Sequence, residues 1–254
     1  MDILIERAGG VLTIALNRPD KKNAITAAMY QEMADAFFEA EKDAAVRAVL
    51  IRGNGGSFSA GNDLEDFLKT PPVGDDAPVF RFLRAISSAE KPIVAAVAGA
   101  AVGIGTTMLL HCDLVYTADD ARFALPFANL GLVPEFASSL LLPLVAGRVK
   151  AAEKILLGDP FTAEEAQEMR LVNAILPPGE VLNHARRVAE RFSSLAPSAV
   201  RESKKLLRRG QQKLVQETMA VESELFGERL RGPEAQEAFQ AFFEKRKPDF
   251  SKFS

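Results

Sequence analysis

Glu135 lies in a sequence environment that suits proton transfer. It follows Pro134 in LGLVPEFASSLLLP, residues 130–143, where most neighbours are apolar. An apolar pocket raises the pKa of a carboxyl group, so Glu135 is a candidate general base or acid near neutral pH. The Pro-Glu pair is also typical of the first turn of a helix, where an acidic side chain complements the helix dipole without any catalytic role. These residues alone leave both interpretations open.

Two glycine-containing segments could present backbone N–H groups to an anion or to a polarised carbonyl oxygen. They are GNGGSFSAGNDL, residues 53–64, and GAAVGIG, residues 99–105. Each also has an ordinary structural interpretation, as a surface loop or as glycines that let a strand and a helix approach closely. The first lacks the Gly-Lys-Ser/Thr of a P-loop, and the second has Met108 where a dinucleotide fingerprint requires its third glycine. We therefore expect no nicotinamide cofactor.

Other polar side chains have simpler structural interpretations. His111 ends an apolar helical segment beside Cys112 and Asp113, which favours a packed or capping histidine over a nucleophile or ligand. Two histidines and one cysteine are too few for a His/Cys metal site. A basic cluster with helical spacing is expected on a solvated helix face. Its members are Lys204, Lys205, Arg208 and Arg209.

The elements that must position these residues indicate an α/β fold. Alternating or continuous apolar runs predict strands, and apolar residues three and four apart predict helices. Strands are expected at 10–16, 47–53, 93–99, 113–118 and 171–176, and helices after Thr26 and at 135–146, 148–157 and 162–169. Thr162 and Glu165 match the capping-box pattern that begins a helix. Strands separated by helices favour parallel pairing.

The chain changes character near residue 196. Beyond Gly179 only helical patterns occur, with breaks near 196–197, 210 and 232–233. We therefore divide the chain into a core, residues 1–196, and a helical segment, residues 197–254. Apolar residues of the helical segment must contact either the core or another subunit. They are Leu206, Leu207, Leu214, Leu225, Phe226 and Leu230.

Composition excludes several classes of protein. A chain of 254 residues with 48% hydrophobic and 26% charged residues can form its own core, unlike disordered or collagen-like chains. A net charge of −3 provides no basic field for nucleic acid. The uncharged stretch 92–112 is long enough to span a membrane, but Pro92 and three glycines favour a buried strand, turn and helix. The single Cys112 cannot form an internal disulfide, which is typical of a reducing compartment, so we expect a cytoplasmic protein. From its net charge and from the interrupted apolar stretch we expect neither nucleic-acid nor membrane partners.

Six segments, in their order along the chain, resemble landmarks of the crotonase (enoyl-CoA hydratase/isomerase) superfamily. They are LNRPDKKNAIT (16–26), FSAGNDL (58–64), KPIVAAVAGAAVGIG (91–105), CDLVYTADDARFALPFANLGLVP (112–134), LGDPFTAEEAQEMRLVNAILP (157–177) and AFFEKRKPDF (241–250). The Glu135 segment, in which PE is followed by ASS, resembles the peroxisomal-type branch that isomerises 3-enoyl-CoA to 2-enoyl-CoA.

The resemblance implies a fold, an assembly and a ligand. The family fold is a spiral of β-β-α turns followed by a helical trimerisation segment, so we expect a homotrimer or a dimer of trimers. Family members bind acyl-CoA thioesters, with CoA as part of the substrate and no further cofactor or metal. Two backbone N–H groups hold the thioester oxygen as it becomes an enolate. The matching donors here are those of Ala60 and Ile104, although glycine is usual at the second position.

The resemblance also implies residues that bind CoA. The matching positions are Ser59, Asn62, Asp63 and Leu64 on the adenine side, Lys22 and Ala24 along the pantetheine and phosphates, and Phe242 and Lys245 at the CoA of a neighbouring subunit.

The chain departs from the family's hydratases at both catalytic acids. The two glutamates that face one water in those enzymes fall here on Thr107 and Phe127. Addition of water needs a base to orient the water and an acid to deliver the α-proton, and neither residue does this near neutral pH. Glu135 remains as a lone carboxylate, which can take a proton from C2 of a 3-enoyl-CoA and return it at C4. Phe127 would help to exclude water.

The resemblance therefore predicts an enoyl-CoA isomerase of fatty-acid β-oxidation with Glu135 as its catalytic base. An enoyl-CoA hydratase, or another crotonase-type acyl-CoA lyase or hydrolase, is the first alternative. A non-catalytic acyl-CoA-binding protein is the second, and the presence of Glu135 argues against it.

Overall fold

A six-stranded sheet organises the N-terminal part of the computed structural model, which describes residues 1–70, 74 and 76–253. In order across the sheet, its strands are β1 (Ile3–Ala8), β2 (Val11–Leu16), β3 (Ala48–Gly53), β4 (Ile93–Val97), β6 (Leu114–Ala118) and β9 (Ala174–Leu176). The first pair is antiparallel and each later pair is parallel. A smaller sheet contains β5 (Ala100–Val102), β7 (Arg122–Ala124) and β8 (Phe161–Thr162). The predicted α/β class with parallel pairing is confirmed.

Strand β1 has no counterpart in the sequence prediction. It lies at the edge of the sheet, and Ile3 is its one buried residue. An edge strand that faces solvent carries polar residues such as Glu6 and Arg7, so the apolar alternation that predicts a strand is missing.

Eleven helices accompany the strands in the described residues. They are α1 (Ala27–Lys42), α2 (Leu64–Lys69), α3 (Pro78–Ser88), α4 (Ile104–Thr107), α5 (Ser138–Ala146), α6 (Arg148–Leu157), α7 (Ala163–Glu168), α8 (Pro178–Arg191), α9 (Pro197–Arg208), α10 (Gln212–Leu230) and α11 (Pro233–Phe243). Thr26 caps α1, and the predicted capping box of Thr162 and Glu165 begins α7. Among the described residues, no helix is both long enough and apolar enough to cross a bilayer.

Helices cover both faces of the large sheet, which explains why β2 and β4 are buried at every position. Met33 and Phe37 of α1 and Phe82 of α3 belong to the main core on one face. Residues of α8, such as Ala185, contact the other face of the sheet. Because helices cover both faces of the sheet, a ligand site must lie beyond the ends of the strands, where the glycine-containing segments are.

The predicted solvated basic face is wrong for two of its four members. Lys204 on α9 is 6% exposed, and its ammonium lies 2.7 Å from the Asp113 carboxylate. Arg208 donates to the same carboxylate at 3.1 Å and to the carbonyl of His111 at 2.6 Å. Helical spacing shows that these charges share a face, but it cannot show which carboxylate lies opposite. The other two members, Lys205 and Arg209, are exposed as predicted.

The helical segment that was predicted from residue 197 begins with α9 at Pro197, and its last residue, Ser254, lies outside the described residues. Its apolar residues divide into two groups. Phe226 and Leu230 of α10 line cavities in the core, whereas four leucines remain exposed. These exposed residues are Leu206, Leu207, Leu214 and Leu225.

Candidate active site

Two connected cavities lie between the core and helices α10 and α11. The larger, of about 770 Å³, is lined by the backbone segments around Ala60 and Ile104. The smaller, of about 410 Å³, contains Glu135. Asn62 and Phe226 line both cavities. The structure therefore brings the three residues predicted to act on the thioester and its acyl chain to one continuous space.

Two segments distant in sequence meet at the larger cavity. A bridge between Ser59 and Ala101 joins the first glycine-containing segment to β5, and the chain then turns through Gly103 into α4. Ile104 is the first residue of α4, so its N–H has no partner within the helix and can serve a ligand. A Cβ at Gly105 would lie 2.9 Å from the carbonyl oxygen of Ser59, so the close approach of the two segments requires glycine there.

The N–H of Ala60 already has an acceptor. It donates to the carbonyl of Lys22 at 2.9 Å, from a turn in which Lys22 and Asn23 have φ of 48° and 57°. A thioester oxygen at this position would have to share or replace that bond. The two predicted donors therefore differ, because the N–H at Ile104 lies free at a helix start and the N–H at Ala60 is occupied.

Most of the predicted CoA-binding residues line the larger cavity. They are Ala24, Asn62, Asp63, Leu64, Phe242 and Lys245, and Phe127, which was predicted to exclude water from the substrate, lines the same cavity. Phe242 and Lys245 thus contribute to the cavity of their own chain, where the sequence analysis placed them at that of a neighbour.

One of the predicted CoA-binding residues is corrected, and a second lies outside the cavity lining. Ser59 is fully buried, and its hydroxyl donates to the Asn23 carbonyl at 2.9 Å and accepts from the Gly61 N–H at 3.1 Å. Its side chain therefore holds the loop and cannot contact an adenine. Lys22 is not among the residues that line the cavity, whereas its neighbour Lys21 is. Both lysine side chains are exposed, so the predicted contact of Lys22 with the CoA phosphates stays a prediction.

Asp63 lines the cavity with a carboxylate that has structural partners. It caps α2 by accepting from the Asp66 N–H at 3.1 Å, and it accepts from Arg18 at 3.0 Å. This carboxylate is unsuited to proton transfer because both oxygens hold the loop that carries Ala60.

Glu135 is not in the first turn of a helix, which corrects the predicted start of α5. The helix begins at Ser138, and the two intervening residues, Phe136 and Ala137, have φ of 61° and 54°. The Pro-Glu pattern looks like a helix start, but the left-handed pair that follows it turns the chain before the helix begins. Glu135 therefore lies before the helix and not within its first turn, and its catalytic role stays a prediction.

The side chain of Glu135 is half-buried, between the smaller cavity and the hydroxyl of Thr107. Its Oε1 accepts from the Thr107 hydroxyl at 2.5 Å. Burial raises the pKa of Glu135 to about 8, the nearby charge of Glu222 also raises that pKa, and the hydrogen bond from Thr107 opposes the rise. Such a carboxyl group is poised to accept and release a proton near neutral pH.

Two further residues shape the space next to this carboxylate. The Tyr30 hydroxyl donates to Asn62 Oδ1 at 2.5 Å where the cavities meet. Phe127 is 5% exposed, packs with Leu125 and Leu142, and presents an apolar wall to the larger cavity.

Sequence reasoning missed Lys21, Tyr30 and Glu222 as residues of this site. The helical spacing of Tyr30 places it on the core face of α1, so the sequence pattern does not indicate that its hydroxyl reaches the cavity. Glu222 reaches the site from α10, and its distance along the sequence gives no signal of this contact.

Comparisons with known proteins agree with this architecture. The family model described as enoyl-CoA hydratase/isomerase matches residues 6–252. A probable enoyl-CoA hydratase from Bacillus subtilis is 33% identical, with 98% of each chain covered. Human enoyl-CoA delta isomerase 2 is 34% identical over 96% of this chain and 64% of its own length.

A solved structure extends the agreement to the whole fold. An enoyl-CoA hydratase/isomerase from Pseudoalteromonas atlantica T6c superposes with a TM-score of 0.94 and 43% identity, over 98% of this chain and all of the other. The expected crotonase-like core with C-terminal helices is therefore confirmed.

Proposed function

Because this chain belongs to the enoyl-CoA hydratase/isomerase family, we propose that it is an enoyl-CoA isomerase that moves a C3 double bond of an acyl-CoA to C2. The observation that carries the proposal is the half-buried carboxylate of Glu135, which accepts a hydrogen bond from Thr107 at the position where the family's hydratases have an acid. Other acidic residues that line the two cavities are solvent-exposed, as Glu65 and Glu224 are, or have structural partners, as Asp63 does.

A lone base is sufficient for this reaction. The Glu135 carboxylate takes a proton from C2 of the 3-enoyl thioester, and the electrons of that C–H bond form a dienolate. The N–H groups of Ile104 and Ala60 stabilise the negative oxygen, each typically by about 3–4 kcal/mol. Glu135 then returns the proton at C4, and the conjugated 2-enoyl-CoA results. No atom is gained or lost, so the reaction requires neither water nor metal nor nicotinamide.

Hydration is the second candidate, and the names of relatives favour it. The Bacillus subtilis protein is named a probable enoyl-CoA hydratase. In a hydratase, Glu135 would have to serve as both base and acid, because Phe127 provides an apolar wall and no proton. The isomerase proposal therefore fits the side chains of this site better.

Two substrates separate the candidates. An isomerase converts 3-hexenoyl-CoA to its conjugated isomer and the absorbance of the conjugated thioester rises. A hydratase consumes crotonyl-CoA and that absorbance falls. Rapid loss of the crotonyl-CoA signal with no gain from 3-hexenoyl-CoA would contradict the proposal. Calorimetry with acetyl-CoA in EDTA tests the absence of a metal requirement, since binding that needs added metal would contradict it.

We also propose that the chain forms trimers or dimers of trimers. Leu206 and Leu207 of α9 are 65% and 84% exposed, and such apolar side chains are covered when subunits associate. Light scattering at micromolar concentration is expected to give a trimer or a dimer of trimers. A mass of 27.5 kDa, that of one chain, would contradict the proposal.

A further inference from the structure

We propose that Glu222 is a positioning residue for Glu135, because its carboxylate holds the backbone turn from which Glu135 enters the cavity. The inference rests on the proposed function, since it takes Glu135 to be the group that moves the proton. Glu222 lies on α10 and does not line either cavity at the site. Its hydrogen bonds therefore act on the turn, its charge raises the pKa of Glu135, and neither acts on the substrate directly.

The turn after Glu135 has an unfavourable backbone. Phe136 and Ala137 are consecutive non-glycine residues with φ of 61° and 54°. Left-handed conformations of such residues persist only where surrounding contacts hold them in place. Glu135 lines the smaller cavity while Phe136 is 1% exposed, so the turn separates the reactive side chain from the core side chain.

Glu222 supplies acceptors for the N–H groups of this turn. Its side chain is 6% exposed, and its Oε2 accepts from the Ala137 N–H at 2.5 Å. Its Oε1 accepts from the Ser139 N–H at 3.0 Å and from the Ser139 hydroxyl at 2.5 Å. These N–H groups are the unpaired donors at the start of α5, and a carboxylate binds them with charge-assisted bonds.

His111 holds the same turn from its carbonyl side. Its Nε2 lies 2.7 Å from the Phe136 carbonyl oxygen, and its ring stacks on Phe136 with centroids 3.9 Å apart. Burial lowers the pKa of His111 to about 4, so the ring is neutral near pH 7 and the contact requires the tautomer that carries its proton on Nε2. The N–H and C=O groups of the turn thus have partners on two different elements.

The decisive test separates kcat from stability in Glu222→Gln. Glutamine keeps the shape of the side chain, but its amide nitrogen cannot accept the bonds that one carboxylate oxygen accepts now. We expect kcat on 3-hexenoyl-CoA to fall by about 10-fold to 10²-fold, as for a misplaced catalytic group, with KM and acetyl-CoA affinity unchanged. The matched control is Glu217→Gln on the same helix, where the side chain is 57% exposed and pairs with Lys213. The control is expected to keep wild-type kcat, KM and melting temperature.

A second variant approaches the turn from the other side. His111→Phe keeps an aromatic ring against Phe136 and removes the N–H, so it should show the same fall in kcat without a change in KM. A lower melting temperature with wild-type kcat per folded molecule in both variants would overturn the positioning role. If Glu222→Gln does not fold, Ser139→Ala replaces it in the test. This variant removes one of the three donors to Glu222, and it should lower kcat without changing KM.

Glu135→Gln, measured alongside, keeps the two proposals distinguishable. If Glu135→Gln retains turnover, the proposed function fails. If Glu135→Gln is inactive while Glu222→Gln has full kcat, only the positioning role fails.

Discussion

The two ends of the site are built in different ways. At the thioester end, Ala60 and Ile104 line the cavity, and of their backbone N–H groups that of Ile104 lies at a helix start while that of Ala60 donates to the Lys22 carbonyl. At the carboxylate end, one side chain acts, and its geometry depends on Thr107 and on the turn held by Glu222. The comparison teaches that the thioester end needs two backbone segments to pair, at the bridge of Ser59 and Ala101, whereas the carboxylate end needs side chains from distant elements.

The largest expected effect belongs to the carboxylate end. Glu135→Gln removes the base and keeps the size of the side chain, so kcat should fall by at least about 10²-fold, the usual contribution of a general base. KM and CoA affinity should not change, because the thioester end is intact. Steady-state kinetics and calorimetry with acetyl-CoA measure both. A Glu135→Gln enzyme with near-full turnover would contradict the assignment.

A comparable loss is expected when one donor is removed at the thioester end. Ile104 is the first residue of α4, a position where proline is well tolerated, and Gly103 before it has φ of 54°. Ile104→Pro therefore removes the N–H with little change in the helix, and kcat should fall by about 10²–10³-fold.

The packing part of that change can be measured separately. Ile104 is 2% exposed, and Ile104→Val keeps the N–H while it costs about 0.5–1.5 kcal/mol of stability for the lost methylene. The ratio of kcat between the valine and proline variants isolates the N–H. Equal kcat in the two variants would show that Ile104 is not an oxyanion donor.

A smaller effect is expected in the pH dependence of kcat, which the carboxylate end of the site controls and the thioester end does not. Glu135 must be ionised to act as a base, so kcat should rise with pH around its pKa of about 8. Thr107→Val removes the hydrogen bond that lowers this pKa, so the rise should move to higher pH. At neutral pH kcat should fall by about 10-fold, the weaker end of the range for a hydrogen bond to a charged group. Thr107→Ser keeps the hydroxyl and serves as the control. If the rise in kcat moved to lower pH in Thr107→Val, this account would be contradicted.

A separate effect is expected on stability. The pKa of Glu135 rises from 4.5 to about 8 on folding, so the native state binds the extra proton between these values. The free energy of unfolding should therefore decrease as pH rises from about 4.5 to about 8, and Glu135→Gln should lack this decrease. Urea unfolding at several pH values measures the difference between the two proteins. A constant difference would mean that the pKa of Glu135 is not raised by folding.

His111 has the opposite dependence and provides an internal comparison. Its pKa falls from 6.5 to about 4 on folding, so the stability of the neutral ring is present above pH 6.5 and is lost as pH falls toward 4. His111→Phe should reduce this loss in acid without removing the Glu135 effect.

Much of the fold could be predicted because its signals are local. Strands β2, β3, β4 and β6 carry apolar runs that match their burial, and the capping pattern of Thr162 marks the start of α7. Strand β1 could not be predicted, because an exposed edge strand has no apolar alternation. The burial of Lys204 could not be predicted either, because it depends on Asp113, far away in sequence.

The amino-acid sequence alone determined which residue types are available to the site and where the main elements lie. Its local pattern singled out Glu135 beside apolar residues, and the resemblance to a known family implied Ala60 and Ile104 as donors. Only the tertiary structure decided that Ser59 is buried and that the chain turns before α5. The left-handed backbone of this turn persists only because distant groups such as Glu222 hold it. A local sequence pattern gives no information about groups that come into contact only after folding.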